Sequence, residues 1–389
     1  MVTKEFRTKT DFMETANGKL PCIWEIGLDI GYSSVKVLSP NSTSCFPSYA
    51  KRMNGDLQYA STPPRSSILY KDLETGSIWL VGEKAQDDMQ TGDTSDSAAL
   101  LYGRERYGTE MFKVLIRAGL GAGMQENAFG KPDPSDRIVV QTGLPERYMN
   151  DTQNLIREIS GRHHFSLKIG NHDVKIFDFT IAPEDVYVMS QPKGTLFSVC
   201  IAKNGKFHPE ADNYLHSSVM IFDPGFGTVD LFPIRSGIVE RGETYSDLGM
   251  KRVLEDTIEK LHEKYGVVES VPAMQKALAS GVVKYYDTEN VKSKAYPFAD
   301  ILEESNRKVC LDALNRMKST FPLVDFDYLV VTGGTGAAWL PIIEDYFKDY
   351  ETLQLITGNQ NDGLPLRYSN ARGYYLYRFN KLGRAMRKG

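Results

Sequence analysis

The feature that most constrains this 389-residue chain is a pattern of strand, aspartate, glycine-containing turn and strand that occurs twice. In the first copy an apolar strand from Ile23 to Leu28 leads into Asp29, and a second strand resumes at Val35. In the second copy the strand from Ser218 to Phe222 leads into Asp223. The copies lie about 190 residues apart, and this spacing predicts two lobes of related design, each with one acidic β-hairpin.

Glycine-containing turns of this kind can bind phosphate. Because glycine lets several backbone N–H groups point at one spot, the turn forms a concavity for phosphate oxygens. A carboxylate at the end of the preceding strand can hold Mg²⁺ through water, so Asp29 and Asp223 are the candidate metal residues. The candidate phosphate contacts are Gly31, Tyr32, Ser33, Ser34 and Lys36 in the first copy, and Gly225, Phe226, Gly227 and Thr228 in the second. Taken alone, either loop is more typical of an ordinary hairpin turn.

A third glycine-rich segment follows another strand. Tyr328 to Val331 has the composition of a buried strand, Gly333, Gly334, Thr335 and Gly336 come next, and 337–349 has helical character. A helix N-terminus with exposed backbone at the carboxyl end of a strand suits the sugar, base or phosphates of a nucleotide. The segment is neither a Walker A loop nor a G-x-G-x-x-G fingerprint. A plain strand-to-helix turn is the alternative.

Composition limits the other possibilities. The net charge is −4, so nothing demands sequence-wide binding to nucleic acid, which favours a strongly basic face. The four cysteines, Cys22, Cys45, Cys200 and Cys310, form no C-x-x-C pair and have no histidine at metal-ligand spacing. Scattered single cysteines are typical of a reducing compartment. No apolar run approaches the roughly 20 residues of a membrane span, so a cytoplasmic protein without a membrane partner is expected.

The three glycine-containing segments, in this order and spacing, resemble the phosphate-1, phosphate-2 and adenosine motifs of the actin/Hsp70/sugar-kinase superfamily. The likeness is strongest to the bacterial actin-like ATPases of the ParM/StbA type, which segregate plasmids. Four further stretches are similar to segments of that branch: 143–148 (G-L-P-E-R-Y), 186–192 (V-Y-V-M-S-Q-P), 242–249 (G-E-T-Y-S-D-L-G) and 369–373 (S-N-A-R-G). The resemblance extends from about Ile23 to Gly373.

The resemblance implies an α/β chain with the actin-like fold. In that fold two lobes are each built on a ribonuclease-H-like mixed sheet flanked by helices, and the nucleotide lies in the cleft between them. It divides the sequence into an N-terminal extension over 1–22, a first lobe over 23–190 with about 370–389, and a second lobe over 191–369.

The sequence departs from the family pattern at two places. The stretch 202–217 resembles an insertion or a long hairpin, and Phe226 is unusual in the second turn. A phenylalanine there would crowd a phosphate unless its ring points into the core.

The resemblance also implies a function, namely an ATPase that binds ATP or GTP with Mg²⁺ and polymerises into filaments. Such filaments segregate plasmid or phage DNA through a DNA-binding adaptor protein of the ParR type, so the chain would contact DNA only indirectly. Two alternatives stay open. One is a monomeric sugar- or acetate-kinase-type phosphotransferase, which needs a substrate-side aspartate that the sequence does not identify. The other is a regulatory Hsp70-like nucleotide-binding module.

Hydrolysis requires a polar side chain that orients water in line with the terminal phosphate. In the family this side chain belongs to the connecting segment, which 186–192 resembles, and by register it corresponds to Gln191. Glu184 is the alternative, because its Pro-Glu pair also resembles the family, and a third possibility is that neither residue acts. A glutamine cannot serve as a base, so slow hydrolysis is expected. The further candidates are Asp223 for catalysis, and Glu243 and Lys251 for contact to the base or ribose. Charged residues such as these, and Lys36, also commonly lie on solvated faces.

Overall fold

The structure is a computed structural model that describes residues 3–55, 63–88, 104–287 and 292–387. The described chain divides into two compact units. The larger unit comprises the described residues of 9–88, 92–216 and 357–389, and the smaller unit comprises those of 1–8 and 217–356. The lobe boundaries expected from the sequence, at 190/191 and about 369/370, stay a prediction.

A six-stranded mixed sheet forms the centre of the larger unit, with the strand order β1-β4-β3-β2-β8-β11. Its strands are β1 (Asp11–Glu14), β2 (Ile23–Ile30), β3 (Ser34–Leu38), β4 (Ser42–Pro47), β8 (Arg137–Leu144) and β11 (Val186–Ser190). β2, β8 and β11 are parallel, so their carboxyl ends lie at one edge of the sheet. Since β1 pairs antiparallel with β4, part of the expected N-terminal extension belongs to this sheet.

Helices cover both faces of the six-stranded sheet. The helices of the larger unit are α1 (Glu83–Asp87), α2 (Glu110–Ala122), α3 (Thr152–Ile159), α4 (Gln191–Cys200), α5 (Ala211–His216) and α10 (Ser369–Met386). On one face, a Cβ added to Gly119 of α2 would lie 2.9 Å from Leu28. On the other face, a Cβ added to Gly27 would lie 2.5 Å from the carbonyl oxygen of Ala371 in α10. β2 is therefore buried along its whole length, as is typical of a strand covered on both sides.

An antiparallel sheet of five strands completes the larger unit, in the order β10-β9-β6-β7-β5. Its strands are β5 (Ala50–Met53), β6 (Ile68–Asp72), β7 (Ile78–Val81), β9 (Gly161–Ile169) and β10 (Lys175–Ile181). A buried ion pair joins this sheet to α2, because Arg117 Nη1 lies 2.7 Å from Asp72 Oδ2 and the Arg117 side chain is 1% exposed. Arg117 also donates to the hydroxyl of Tyr70 (3.1 Å).

The smaller unit is built on a second mixed sheet, in the order β14-β13-β12-β18-β19, with β15 paired to β13. The strands of the unit are β12 (Ser218–Pro224), β13 (Val229–Arg235), β14 (Ile238–Val239), β15 (Glu243–Tyr245), β16 (Val282–Asp287), β17 (Lys292–Pro297), β18 (Tyr328–Val331) and β19 (Gln354–Thr357). β16 and β17 form a separate hairpin. The helices are α6 (Met250–Tyr265), α7 (Val271–Ala277), α8 (Ala299–Thr320) and α9 (Gly334–Phe347).

Both units combine a mixed sheet with helices, which confirms the α/β class expected from the sequence. The stretch 202–217 forms a tight turn closed by the bridge between Ile201 and Phe207, followed by α5. Asn380 of α10 donates to the carbonyl of Gly205 in this turn (2.7 Å), so the stretch packs on the last helix. Within the described part of the chain, no helix has the length and the hydropathy of a membrane span.

Asp256 of α6 makes the smaller unit sensitive to acid. Its side chain is 2% exposed, and Lys308 of α8 lies 2.5 Å from its Oδ1. Burial alone would raise the pKa of Asp256, but the ammonium groups of Lys308 and Lys260, both within 3.0 Å of the carboxylate, outweigh burial and lower the pKa to about 2. Because the folded pKa is below the unfolded one, the carboxylate stabilises the fold above about pH 4, and this contribution is lost as the pH falls towards about 2.

We expect Asp256→Asn to lower the free energy of unfolding at pH 7 by about 2 kcal/mol and to have almost no effect near pH 2. Urea unfolding of the parent and the variant across this pH range measures the difference. Asp349→Asn, at an exposed position, is the control and should track the parent at every pH. If the difference between Asp256→Asn and the parent does not change with pH, the lowered pKa of Asp256 is not the cause of the stabilisation.

Candidate functional site

The first hairpin places its aspartate and its lysine against each other. In the register of β2 and β3, Asp29 is opposite Lys36, and Lys36 Nζ lies 3.0 Å from Asp29 Oδ2. The Asp29 side chain is 4% exposed, and its Oδ1 accepts no hydrogen bond from any described residue. Lys36 is therefore a partly buried ion-pair partner and not a solvated edge residue, while one buried carboxylate oxygen of Asp29 has no hydrogen-bond donor among the described residues.

Neighbouring segments fix the turn between these strands. The N–H of Gly31 donates to the carbonyl of Ser34 (3.0 Å), and Ser48 Oγ donates to the carbonyl of Gly31 (2.7 Å). Arg106 Nη1 donates to the carbonyl at the end of β2 (3.1 Å), and its guanidinium lies 5.4 Å from the ring centroid of Tyr32. The turn thus exposes Gly31, Tyr32 and Ser33 in part, whereas Ser34 is buried at its base.

The connecting segment reaches the same edge of the sheet as the first hairpin. β11 is parallel to β8, which is parallel to β2, so Gln191 follows the carboxyl end of β11 two strands from Asp29. Two strand spacings correspond to about 10 Å. Glu184 lies in the turn before β11 and is exposed. The length of β11, about 16 Å for five residues, therefore separates Glu184 from that edge. The fold brings Gln191 and Asp29 to one edge, and it does not bring Glu184 there.

Two buried hydroxyl groups near this edge have no signal in the sequence. Thr142 Oγ1 and Ser190 Oγ lack a hydrogen-bond partner among the described residues. Ser190 is the N-cap residue of α4, but its side chain makes no capping bond. Thr142 is opposite Val188 in the ladder, so both hydroxyls project from the same face of the sheet. An isolated Thr or Ser at a strand end is too common for sequence patterns to single out.

The second hairpin has an open turn. The N–H of Gly225 donates to the carbonyl of Thr228 (2.8 Å), and Asp223 sits at the end of β12 opposite Asp230. The Phe226 side chain is 8% exposed, so its ring points into the interior and does not crowd the turn. A Cβ added to Gly227 would meet no atom within 4 Å. The turn is therefore open at Gly227, which is partly exposed.

The third glycine-rich segment lies directly against the second hairpin. β12 and β18 are parallel neighbours, so both segments follow carboxyl ends at one edge of the sheet. Thr335 Oγ1 donates to the carbonyl of Gly225 (2.9 Å). Gly333 has a positive φ of 78°, and a Cβ added there would lie 2.5 Å from Asp223 Oδ1. The turn at 333–335 is thus fitted to the aspartate, and Gly336 is buried in the first turn of α9.

The first turn of α6 also contacts the second hairpin. The N–H of Met250 donates to the carbonyl of Gly225 (3.2 Å), and that of Lys251 donates to the carbonyl of Phe226 (2.7 Å). Gly249 has a φ of 106°, and a Cβ there would lie within 3.2 Å of three hairpin carbonyl oxygens. These two N–H groups of the helix therefore hold the loop and not a ligand. The Lys251 side chain is exposed and lies 3.5 Å from Glu255.

Of the remaining candidates, Glu243 is exposed on β15. Among the described residues, no contact joins Glu243 or the Lys251 side chain to the hairpin turn.

The structure instead shows a carboxylate that the sequence patterns did not indicate. Asp230 is 7% exposed and accepts hydrogen bonds from the hydroxyls of Thr228 (2.8 Å) and Thr244 (2.6 Å). It connects the turn to β15. The Thr-x-Asp spacing after the glycines is the signal that could identify it.

Each unit thus presents one strand-end carboxylate beside a glycine-containing turn, and the smaller unit adds a second glycine-rich turn beside its own. Backbone N–H groups with open access bind anions, and lone carboxylates bind Mg²⁺ through its waters. Among the described residues, no group of three or more His, Cys, Asp or Glu side chains is positioned to hold a metal ion directly.

Comparison with known proteins shows which fold this chain shares. Residues 27–194 match the family model for the N-terminal domain of actin-like proteins. No curated protein sequence matches the chain.

Solved structures of the same fold cover almost the whole chain. A non-polymerisable quadruple mutant of pCBH ParM is 17% identical, with a TM-score of 0.67 over 92% of this chain and 99% of that one. A 15-stranded ParM filament from Clostridium botulinum is 17% identical, with a TM-score of 0.66 over 92% and 99%. The ADP complex of Ta0583, an archaeal actin homolog, is 14% identical, with a TM-score of 0.61 over 91% and 99%.

These matches confirm the resemblance carried by the motifs: residues 27–194 match the N-terminal domain of actin-like proteins, and the chain has the fold of the ParM-type actin-like proteins.

Proposed function

We propose that this protein binds ATP together with Mg²⁺ and hydrolyses it, with GTP as the alternative nucleotide. The observation that carries the proposal is the convergence, within the smaller unit, of the turn at 225–228, the turn at 333–335 and the start of α6. Two glycine-rich turns at the carboxyl ends of adjacent parallel strands form an accessible site for phosphates and a nucleoside. The ADP bound to the archaeal actin homolog of the same fold supports an adenine nucleotide.

The strand-end carboxylates fit Mg²⁺ held through water. Asp29 Oδ1 is buried without a partner among the described residues, and Asp223 lies beside two glycine-rich turns. Mg²⁺ keeps several of its waters in protein sites and binds through one or two carboxylates. When bound, the ion neutralises phosphate charge. In the smaller unit, the backbone at 225–228 binds phosphates and the turn at 333–335 lines the nucleoside site. In the larger unit, the backbone at 31–33 and the charge of Lys36 form a separate candidate phosphate contact.

For the hydrolytic step we assign Gln191 as the residue that positions the attacking water. It follows the carboxyl end of β11, at the same sheet edge as Asp29. An amide both donates and accepts hydrogen bonds, so it can orient water without removing a proton. Glu184 is the weaker candidate because it lies at the opposite end of the strand.

The proposed ATPase polymerises. ParM of Clostridium botulinum forms a filament, and the structural alignment with this chain covers 99% of the length of that ParM chain. Filament growth needs head-to-tail contacts that do not close into a ring. The segregation of plasmid or phage DNA through an adaptor of the ParR type is the activity that such filaments would serve. The free cysteines of the described chain fit a reducing cytoplasm.

Light scattering and phosphate release, measured in one sample, test the proposal. We expect scattering to rise with Mg-ATP above a critical protein concentration and then to fall as ATP is consumed. ADP, and ATP with the metal chelated, are the controls and should give no polymer. Parallel samples with Mg-GTP decide the base preference.

The outcomes separate the candidate functions. Phosphate release that depends on an added sugar or acetate, without scattering, would instead indicate a phosphotransferase. Nucleotide binding with neither hydrolysis nor scattering, across several salts and at high protein concentration, would indicate a regulatory module. Either result would overturn the proposed function.

A further inference from the structure

The end of α10 and the neighbouring turn form a basic surface on the larger unit. Five exposed cations belong to it: Lys203, Lys206, Lys381, Arg384 and Arg387. The two segments are in contact, because Asn380 donates to the carbonyl of Gly205 (2.7 Å) and the Arg384 guanidinium lies 5.4 Å from the Phe207 ring centroid. On a helix, residues three apart are neighbours, so Arg384 lies between Lys381 and Arg387 along one side of α10 and its end.

These cations are not neutralised within the molecule. None of the five forms an ion pair with a carboxylate among the described residues, although ion pairs are frequent elsewhere in the chain. No Asp or Glu follows Asp362, whereas seven Lys or Arg residues do. The whole chain nevertheless has a net charge of −4. Of these seven, Lys381, Arg384 and Arg387 lie on the basic surface, whereas Arg367 and Arg372 pair with carboxylates inside the larger unit. The surface thus carries five cations without a carboxylate partner among the described residues, and such a cluster attracts polyanions.

The helix dipole does not account for this surface. Cations at a helix C-terminus are favourable because they complement its partial negative charge, which explains Arg384 and Arg387. Lys203 and Lys206, however, come from a different segment, which the turn at 201–207 presses against α10. The basic surface is thus assembled by tertiary packing from two parts of the sequence.

The chemistry of the surface favours phosphates over bases. The aromatic rings nearby are already occupied, Phe207 by Arg384 and Tyr377 by both Phe197 (4.3 Å between centroids) and Lys381 (5.6 Å to the centroid). They are not free to stack on unpaired bases, which single-strand binding uses. An arginine stacked on a ring keeps its in-plane N–H donors free for phosphate oxygens.

We infer that this basic surface binds the phosphate backbone of duplex DNA directly and without sequence preference. The protein would then contact DNA itself, in addition to any contact through an adaptor. The inference goes beyond the proposed nucleotide chemistry and does not depend on it. With five cations, the logarithm of the affinity should fall with the logarithm of salt concentration with a slope of about −4 to −5.

Fluorescence anisotropy with a labelled 30-base-pair duplex, between about 50 and 200 mM NaCl, tests the inference. The variant replaces Lys203, Lys206, Lys381 and Arg384 with glutamine. We expect the magnitude of its salt slope to decrease by about 1 for each cation removed, so that the slope becomes about −1. The variant should also lose much of its affinity at low salt. The matched control replaces Lys264, Lys284, Lys292 and Lys294, exposed cations of the smaller unit, and changes the net charge equally. The control should bind as the parent does.

Several results would overturn the inference. One is an unchanged slope in the variant, and another is an equal loss in the control, which would indicate a general effect of net charge. Two further probes decide the class of polyanion: poly-glutamate of matched charge and vesicles containing phosphatidylserine. If either binds the parent more tightly than the duplex and loses that binding in the variant, the partner is an acidic protein or a membrane. Urea unfolding of each variant verifies that it is folded, and nucleotide binding should be retained in both.

Discussion

Replacing Gly333 with alanine is expected to lower the free energy of unfolding by about 2–4 kcal/mol. Gly333 has a φ of 78°, which an L-residue adopts only with strain. The added Cβ would also lie 2.5 Å from Asp223 Oδ1 and 3.0 Å from the carbonyl oxygen of Pro224. One of these groups must move, and both belong to the second hairpin. We therefore expect the variant to lose at least about tenfold in affinity for a fluorescent ATP analogue under conditions where it remains folded.

Gly227→Ala is the matched control in the same turn. A Cβ at Gly227 meets no atom within 4 Å, so the free energy of unfolding should change by less than about 0.5 kcal/mol. Urea unfolding of both variants measures the change in stability, and titration with the fluorescent ATP analogue measures the change in affinity. If Gly333→Ala unfolds and binds like the parent, the turn is not fitted to Asp223 as the structure indicates.

Local patterns in the sequence predict a large part of this site. The two hairpins and the strand-to-helix turn are each defined within about 20 consecutive residues, where alternating strands, glycines and a strand-end aspartate determine the backbone. Their predicted positions match the elements found at Asp29, Asp223 and Gly333. That the last two lie side by side follows from the parallel pairing of β12 and β18, which is a property of the fold that the family resemblance supplies.

Features that depend on long-range packing are absent from the sequence patterns. Glu25 has the appearance of a polar residue on a strand, yet it is 2% exposed beneath α10, and burial raises its pKa well above the usual range although Arg378 opposes this. Asp11–Glu14 pairs with β4 although no local signal assigns it to a sheet. The use of the α6 N–H groups to hold the hairpin likewise depends on residues that are distant in the sequence.

The connecting segment offers a test of catalysis within a single strand. Gln191 and Glu184 flank β11, one after its carboxyl end and one before its amino end. The sequence motifs allow either residue to position water. In the fold only Gln191 is at the edge that β11 shares with the carboxyl end of β2 and Asp29. Gln191 is also the first residue of α4, where alanine is well tolerated, so its replacement removes the amide without breaking the helix.

We expect Gln191→Ala to retain nucleotide binding and assembly but to release phosphate about 10²-fold more slowly, because a single positioning contact for the water is lost. Polymer of this variant should persist after free ATP is exhausted, since its protomers remain in the triphosphate state. Phosphate release and light scattering are followed together in one sample, with Glu184→Ala as the control that should behave like the parent. Slow release in Glu184→Ala and normal release in Gln191→Ala would reverse the roles, and would mean that the register of the connecting segment differs from that of the family. Normal release in both variants would place the water on groups outside this segment, for which the unpartnered hydroxyls of Thr142 and Ser190 are the next residues to replace.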